Sequence, residues 1–516
     1  MKSVSILNDV LGPVMRGPSS SHTAASFHIG CIARDLLGAD PARARFTFDP
    51  EGSLAEVYRQ QGSDLAFAAG LLGLSITDTA FERALELAVE RGVDVTFVTE
   101  PLPDADHPNA VEIRLAAADG QALSARAKSV GGGAVTFTGV GSWPVQLSGD
   151  AYEILVEMDA GAEAGVRERL VQGRHVIGEP TMTPRDERLL LHVRLGEPPD
   201  EDVASAVRKL PPVHHLRIAA PVFFVPRGET LFSSANEMVS LAEKRGLSPG
   251  EAGLAYEAAL LGLSEEVILD HVMERLVVME ASVHRGLKAD LPSMQLLKPS
   301  AGRVFQAEAE GRVAAGGLHT RAAARAMAVM HVNGAMGVVC AAPTAGSAGV
   351  VPATVVTMME EWGLDRRQAA LALLAAGAIG VVVGTRATFA AEVAGCQVEI
   401  GAAGAMAAAA VVQVAGGSAQ QVADAAAIVL QNTMGSVCDM VQGIVEIPCH
   451  TRNAAAASSA FVCADLVLGG YVNPIPLDET VDAVYATGRM LPRELKCTAL
   501  GGLAATPSAR AMPRLR

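Results

Sequence analysis

Three cysteines in the last quarter of this 516-residue chain have a residue type and setting suited to chemistry. Cys396, Cys438 and Cys449 each stand beside a glycine, an aspartate or a proline, residue types that mark the ends of helices and strands. A helix N-terminus favours the thiolate, because backbone N–H groups stabilise negative charge. Three thiolates suit zinc or an iron–sulfur cluster. Three unconnected buried cysteines would show the same spacing, so spacing alone leaves both interpretations open.

A hydroxyl-rich loop near the N-terminus is a second candidate. Residues 17–23 read GPSSSHT, and the segment that follows, 24–37, has the composition of a helix. Such a loop could present hydroxyl and N–H groups to a small anion. Serine and threonine are also ordinary helix caps, so the loop by itself does not establish a site. The side chains concerned are Ser19, Ser20, Ser21, His22 and Thr23.

Other polar groups lie in turn-rich segments. These read DHPN at 106–109, SVGGG at 129–133 and AAPTAGS at 341–347. Histidine has an unperturbed pKa near neutrality, which makes His22 and His107 candidates for a base or for contacts to a carboxylate.

Arg452 and Asn453 follow Cys449 closely in the sequence. They could bind a carboxylate or donate hydrogen bonds to the sulfurs of a cluster. A helix N-terminal cap is an equally good interpretation of both residues.

Several of these segments resemble the iron–sulfur-dependent L-serine dehydratases. GCQVEIG, CD and PCHTRN around the three cysteines, together with APTAGS, are similar to the alpha part of that family. GPSSSHT, DHPN and SVGGG are similar to its beta part. The resemblance covers nearly the whole chain and implies that both parts are fused in it. It also implies a [4Fe–4S] cluster on Cys396, Cys438 and Cys449, with a fourth iron that has no protein ligand.

The resemblance implies conversion of L-serine to pyruvate and ammonia. The open iron would act as a Lewis acid on the β-hydroxyl, and a base, His22 or His107, would remove the Cα proton. The small amino-acid substrate would be bound by a set of polar side chains: Ser19, Ser20, Ser21, Thr23, Asn109, Thr344, Ser347, Arg452 and Asn453. Cys31, Cys340 and Cys463 are expected not to be ligands. Cys497 is also expected not to be one, although a mobile tail could bring its thiol to the open iron.

The chain departs from the family pattern in its substrate-binding segments. QQGSD at 60–64 replaces GHGTD, and KPSAGRVFQ at 298–306 replaces a Gly-Gly-Asp segment. A lyase acting on L-threonine, or on L-cysteine as a desulfidase, therefore remains an alternative. A non-catalytic metal protein that senses an amino acid is a third possibility, and a fully ligated zinc would support it.

Hydrophobic periodicity predicts an α+β multidomain protein. Residues 1–148 mix strand-like and helical segments and form an N-terminal α/β domain. Residues 150–222 show the order βαββαβ, with the second strand expected in HVIGEPTM at 175–182. This order is similar to an ACT-type regulatory domain. Residues 234–516 form a mostly α-helical catalytic domain. The βαββαβ unit is expected to pair with its copy in a homodimer.

Composition excludes several classes of protein. The net charge of −15, without a basic block, argues against nucleic acid as a partner. The first residues, MKSVSILNDVLG, make a poor signal peptide, so a cytoplasmic location is expected. The apolar run 369–384 predicts a buried helix rather than a membrane span, because a span needs about 20 residues. Seven cysteines in such a chain do not indicate a disulfide framework.

Overall fold

The computed structural model describes residues 3–103, 105–288, 290–291 and 294–515. Its strands are β1 (Val14–Arg16), β2 (Pro41–Phe48), β3 (Asp94–Thr99), β4 (Ala110–Ala117), β5 (Ala122–Gly131), β6 (Ala134–Val140), β7 (Trp143–Leu147), β8 (Tyr152–Asp159), β9 (Thr181–Arg185), β10 (Arg188–Leu195), β11 (Val213–Ala219) and β12 (Val338–Cys340). Its α-helices are α1 (Ala25–Leu37), α2 (Ser53–Val57), α3 (Ser63–Leu71), α4 (Ala84–Glu90), α5 (Glu163–Val171), α6 (Glu201–Arg208), α7 (Ala235–Arg245), α8 (Pro249–Leu261), α9 (Glu265–Gly286), α10 (Ala301–Ala309), α11 (Gly317–Gly334), α12 (Val350–Trp362), α13 (Arg366–Arg386), α14 (Ala391–Ala394), α15 (Ile400–Val414), α16 (Ala419–Thr433), α17 (Cys449–Leu468), α18 (Leu477–Met490) and α19 (Pro507–Ala511).

The chain divides into two compact units. The sheet unit consists of Ala25–Val130 and Ala134–Arg227. The helical unit consists of Met1–Ala24, Gly131–Gly133 and Gly228–Arg516. The mixed and helical regions follow the sequence-based expectation. The GPSSSHT loop does not, because it belongs with the helical unit rather than with the α/β sheet.

Buried hydrogen bonds explain why the N-terminal segment belongs to the helical unit. The carboxylate of Glu257, on α8, accepts hydrogen bonds from the Ser5 hydroxyl and from the amides of Ile6 and Leu7 at 2.7 and 3.0 Å. Strand β1 pairs antiparallel with β12, with Val14 opposite Cys340. A buried carboxylate needs such donors, and they fix the chain leading to the loop at 17–23.

The N-terminal part of the sheet unit is built on a six-stranded sheet in the order β3-β2-β4-β5-β6-β7. Strand β2 pairs in parallel with β3 and antiparallel with β4. Phe46 stacks on Phe67 of α3, with ring centroids 4.3 Å apart. This apolar face, with α1 and α3 over it, forms the larger core of the unit.

The predicted βαββαβ order is confirmed for β8-α5-β9-β10-α6-β11. These strands form an antiparallel sheet in the order β11-β8-β10-β9. One strand position was wrong: HVIGEPTM at 175–182 was expected to be a strand, but β9 covers Thr181–Arg185 and pairs with β10. That segment contains Gly178, Glu179 and Pro180, and these residue types are depleted in strands.

The helical unit packs its helices closely through small residues. A Cβ atom on Gly250 or Gly253 of α8 would lie 2.4 or 2.3 Å from carbonyl oxygens of α13. Two segments, Arg366–Arg386 and Cys396–Val414, are long and apolar enough to cross a membrane. Of their most apolar windows, 78% and 83% are buried inside the protein. Both are therefore core helices, as expected for the run 369–384.

Candidate active site

The three cysteines predicted to act together, called the cysteine group below, are all buried in the helical unit. Cys396, Cys438 and Cys449 are 2%, 1% and 4% exposed. Sulfurs of Cys396 and Cys438 and a carboxylate oxygen of Glu399 all lie within 4.8 Å of one another. Cys449 lies outside this 4.8 Å group; burial raises the pKa of its thiol, and the charge of Cys396 adds to the rise. Cys396 and Cys438, which lie in different loops, thus converge.

Each cysteine is positioned by a different feature of the local backbone. Gly395 has φ +76°, and a Cβ atom there would lie 2.8 Å from the Ser436 carbonyl oxygen, so glycine lets the two cysteine loops approach. The amide of Cys438 donates to the Leu495 carbonyl at 2.9 Å. Cys449 is the first residue of α17, where the helix dipole favours a thiolate.

The electrostatics of the group suit a metal cation. The pKa of Cys396 is raised well above its ordinary value by its hydrogen bond to Cys438 and by burial. Burial also raises the pKa of Glu399 to about 8, the Glu392 carboxylate adds to the rise, and the Thr344 hydroxyl opposes it. Several buried acids in one place repel one another as anions, and a cation removes that cost by binding the deprotonated groups.

Arg452 braces the cysteine loops. Its guanidinium donates to the Val437 carbonyl at 2.8 Å and to Asp439 at 2.9 Å, and it lies 3.7 Å from the sulfur of Cys396. Burial alone would lower the pKa of Arg452, but Cys396 and Asp439 hold it above its ordinary value. The arginine therefore remains a cation next to the sulfurs.

Asn453 links α17 to the APTAGS loop. Its side-chain amide donates to the carbonyls of Gly346 and Cys449 at 2.8 and 2.9 Å, and its oxygen accepts from the Gly349 amide at 3.0 Å. These bonds make Asn453 a residue that positions the loop. Its expected contact with the substrate stays a prediction.

The APTAGS loop carries two buried hydroxyl groups and lies close to Glu399. Thr344 and Ser347 are buried, with their hydroxyl oxygens 3.2 Å apart. Gly346 is close to Glu399, since a Cβ atom on it would lie 3.5 Å from the Glu399 carboxylate. The absence of a side chain at Gly346 lets this loop approach Glu399, whose carboxylate lies near the sulfurs of Cys396 and Cys438.

The GPSSSHT loop meets the APTAGS loop. The Ser20 hydroxyl accepts from the Ala345 amide at 3.4 Å. His22 is 1% exposed, and its Nδ1 lies 3.1 Å from the Ser19 hydroxyl oxygen. Burial lowers the pKa of His22 to about 4, although the Glu392 carboxylate opposes this. The loop also carries the half-buried Ser21 and the buried Thr23.

His107 and Asn109 belong to the sheet unit. Nδ1 of His107 accepts a hydrogen bond from the Asn109 amide at 3.1 Å. The side-chain oxygen of Asn109, which is 1% exposed, has no hydrogen-bond partner among the described residues. Joint action of these two residues with the cysteine group remains a prediction.

Other cysteines occupy different settings. The Cys463 thiol, on α17, lies 3.8 Å from the Ser459 hydroxyl oxygen and 4.0 Å from the Asn432 side chain. The Cys497 thiol neighbours that of Cys438, and the Cys497 amide donates to the Cys438 carbonyl at 2.9 Å. The tail at Cys497 is thus fixed beside the group by backbone bonds.

Three supporting residues escaped prediction. The Asn333 amide donates to the Pro18 carbonyl at 2.9 Å and so fixes the GPSSSHT loop. Asp439 holds both Arg452 and the Leu503 amide, the latter at 2.8 Å. Glu392 provides negative charge near His22. Their only signal in the sequence is a polar residue in an apolar stretch or next to a cysteine.

A model of the serine dehydratase alpha chain family matches residues 187–504, which is more than half of the chain. The chain belongs to this family. Among its relatives is the probable L-serine dehydratase alpha chain of Bacillus subtilis (strain 168), which is 39% identical over 284 residues. That match covers 55% of this chain and 95% of the relative.

Both alpha chains and a beta chain of L-serine dehydratases are similar to this chain. The probable L-serine dehydratase beta chain of Bacillus subtilis (strain 168) is 33% identical over 207 residues, covering 39% of this chain and 92% of the relative. The L-serine dehydratase of Streptomyces coelicolor is 36% identical over 278 residues, covering 53% of this chain and 60% of the relative. Matches to separate alpha and beta chains are consistent with a fusion of both parts.

Proposed function

We propose that this protein is an L-serine ammonia-lyase that converts L-serine to pyruvate and ammonia. The observation that carries the proposal is the convergence of the cysteine group, the APTAGS loop and the GPSSSHT loop within one compact unit. Relatives named L-serine dehydratase, or as one of its chains, support serine as the substrate. They lend no support to the threonine, cysteine or non-catalytic alternatives.

We propose further that Cys396, Cys438 and Cys449 hold a [4Fe–4S] cluster. Three buried thiols suit such a cluster, because iron–sulfur clusters are bound by cysteine thiolates. When bound, the cluster would supply a Lewis acid for the substrate's β-hydroxyl group. Glu399, beside two of the sulfurs, and Arg452, whose cationic side chain faces one of them, would stabilise the loops that carry the ligands.

His22 is the proposed base. The Ser19 hydroxyl holds the ring at Nδ1, and the imidazole is assigned to accept the Cα proton of serine. Burial keeps the imidazole neutral above about pH 4, and the neutral ring is the form that takes up a proton. Loss of the Cα proton and of the β-hydroxyl, which leaves as water, gives aminoacrylate. Tautomerisation and hydrolysis with one water then give pyruvate and ammonia.

Hydroxyl groups on two loops would orient the substrate. Ser21 and Thr23 on the GPSSSHT loop, and Thr344 and Ser347 on the APTAGS loop, are proposed to contact its carboxylate and ammonium groups. Because Asn333 and Asn453 hold both loops through backbone bonds, the hydroxyls are positioned before substrate binds. Such preorganisation lowers the entropic part of the activation barrier.

The remaining expectations are also proposals. The βαββαβ unit is assigned an ACT-like regulatory role and pairing in a homodimer, and the enzyme is placed in the cytoplasm. None of these affects the chemistry assigned to the helical unit.

Anaerobic purification followed by a keto-acid assay tests the function. We expect pyruvate and ammonia in equal amounts from L-serine, at a kcat/KM well above that for L-threonine or L-cysteine. Iron and acid-labile sulfide should be present in equal amounts, near four of each per chain, as in a [4Fe–4S] cluster. A preparation with full cluster content but no turnover of any of the three amino acids would contradict the enzyme assignment.

A further inference from the structure

A cavity of about 390 Å³ lies in the sheet unit and opens to solvent, since exposed residues such as Arg114 and Ser124 line it. It is bounded by both sheets of that unit, with lining residues on β4, β5, β6, β7, β8, β10 and β11. A volume of this size falls in the range of small-molecule sites. The cavity contains none of the residues assigned to the cysteine group or to its loops.

The walls of the cavity are apolar where the sheets meet. Trp143, Leu155 and Leu190 line it, and all three belong to the buried core shared by the two sheets. Leu155 and Leu190 come from the βαββαβ sheet, whereas Trp143 comes from the six-stranded sheet. An occupant would therefore contact both sheets through an apolar group.

Charges of both signs stand beside this apolar wall. Arg114 and Arg217 line the cavity together with the carboxylate of Glu157. Arg217 is anchored by bonds to the carbonyls of Leu36 and Ala122 at 2.8 and 2.9 Å. Arg114 pairs with Glu112 at 2.8 Å, but a guanidinium has five N–H donors, so both arginines retain donors for an anion.

Glu157 remains ionised within this setting. It accepts a bond from Arg188 at 2.6 Å, and burial opposes its ionisation. The hydrogen bond from Arg188 and the charge of His215 nevertheless hold the pKa of Glu157 below its ordinary value. A carboxylate has about four acceptor positions, so Glu157 retains capacity for a further donor.

We propose that this cavity binds a free α-amino acid with an apolar side chain. The carboxylate of the amino acid pairs with Arg114 and Arg217, its ammonium with Glu157, and its side chain packs on Trp143 and the two leucines. A zwitterion matches both signs of charge, whereas an oxo acid leaves Glu157 without its partner and an amine leaves the arginines without theirs. Occupancy bridges the two sheets and so stabilises the βαββαβ unit against the six-stranded sheet.

Binding can be measured on the full-length enzyme without following turnover. The chain has two tryptophans, and a Trp362→Phe variant leaves Trp143, in the cavity wall, as the only fluorophore of that kind. Titration with L-leucine should change its emission and saturate at one site per chain, with calorimetry as an independent measurement. 4-Methyl-2-oxopentanoate and 3-methylbutylamine, which each lack one of the charged groups, should bind at least about tenfold more weakly.

Three variants test the assignment of the charged groups and of the space. Arg114→Gln and Glu157→Gln should each weaken L-leucine binding by about tenfold or more, since each removes a charge-assisted bond. Ser124→Phe, which fills the cavity, should abolish binding. Arg45→Gln is the matched control, because Arg45 lies on the same six-stranded sheet but pairs with Glu100 outside the cavity.

Two results would overturn the proposal. One is the absence of saturable binding of L-leucine, L-valine or L-phenylalanine by calorimetry and fluorescence. The other is an affinity that Ser124→Phe and Arg114→Gln leave at the level of Arg45→Gln, while circular dichroism shows all variants folded. Because neither measurement uses pyruvate formation, a negative result leaves the lyase assignment intact.

Discussion

The helical unit and the sheet unit hold their polar groups in different ways. In the helical unit the candidate active site is built from loops at helix ends, and single side chains such as Asn453 and Glu257 each satisfy three polar partners. In the sheet unit the charged residues of the cavity lie on strands and pair mainly with side chains of neighbouring residues, as Glu157 does with Arg188. Loss of one such side chain in the helical unit should therefore break several hydrogen bonds at once. Loss of one charged side chain in the cavity should only weaken binding of the proposed amino acid.

Replacing the proposed cluster ligands should give the largest effect. Cys396→Ser, Cys438→Ser and Cys449→Ser should each abolish serine turnover and the broad visible absorbance of the cluster, because three thiolates are the proposed protein ligands. Iron content and the keto-acid assay measure both consequences. Cys463→Ser is the matched control and should keep activity and absorbance, since Cys463 contacts Ser459 and Asn432 instead. Full activity in an iron-free triple variant would exclude the cluster.

His22→Ala should give the next largest effect. Loss of a general base costs roughly 10² to 10⁴ in turnover. The visible absorbance and iron content should not change, because His22 is bonded to Ser19 and is not among the sulfur ligands. His319→Ala is a suitable control, since that ring contacts the Ser458 carbonyl and Phe461 within the same unit. A His22→Ala enzyme with kcat unchanged would show that another group removes the proton.

Much of this organisation was predictable from sequence. The helical character of residues 234–516 was predictable in part because serine caps, such as Ser248 before α8 and Ser264 before α9, are local signals. The βαββαβ order was likewise legible in alternating apolar residues, apart from the position of β9. Cys396 and Cys438 lie close together because Gly395 lets their loops approach and because backbone bonds join Cys438 to Leu495 and Cys497. The spacing of the cysteines in the sequence does not reveal this. The family resemblance supplied that part of the prediction.

Long-range polar contacts were the least predictable feature. Glu257 appears in the sequence as one more glutamate on a helix, although it is fully buried against residues some 250 positions earlier. Asn333 fixes the loop at 17–23 by a bond that no local pattern indicates. Such contacts depend on how distant segments meet, and this is why the GPSSSHT loop was placed in the wrong compact unit.

Glu257→Ala should lower stability without touching the cysteine group. Three donors, the Ser5 hydroxyl and the amides of Ile6 and Leu7, would lose their acceptor. Leaving buried donors unsatisfied costs about 1–3 kcal/mol for each strongly buried group, so a loss of roughly 3 kcal/mol or more is expected in urea unfolding. Glu251→Ala, a capping-box residue on the same helix, should cost about 1 kcal/mol and serves as the comparison.

The same carboxylate gives a pH dependence of defined sign. Burial raises the pKa of Glu257 to about 7 from an ordinary 4.5, despite its hydrogen bonds. The folded state then binds more protons than the unfolded state between these values, so the contribution to stability is present below about pH 4.5 and is lost as the pH rises through 7. The unfolding free energy of the wild type, relative to Glu257→Gln, should fall between pH 5 and 8. A difference that is constant over this range would show that Glu257 is ionised throughout.

Cys497→Ser should give the smallest effect, and it distinguishes a neighbour of the site from a ligand. The Cys497 thiol lies beside that of Cys438, and φ of +61° together with the backbone bond to Cys438 hold it there. Serine preserves the size of the side chain and the backbone bond, so the local fold should be retained. Cys497 lies outside the proposed ligand set, so the visible absorbance should be unchanged. Activity should stay within about threefold of the wild type, the effect expected from losing a single weak polar contact. A loss of absorbance comparable to that of Cys438→Ser would make Cys497 a permanent ligand. A lower KM for serine, with an altered spectrum only when serine is absent, would show instead that this thiol competes with the substrate for the open iron.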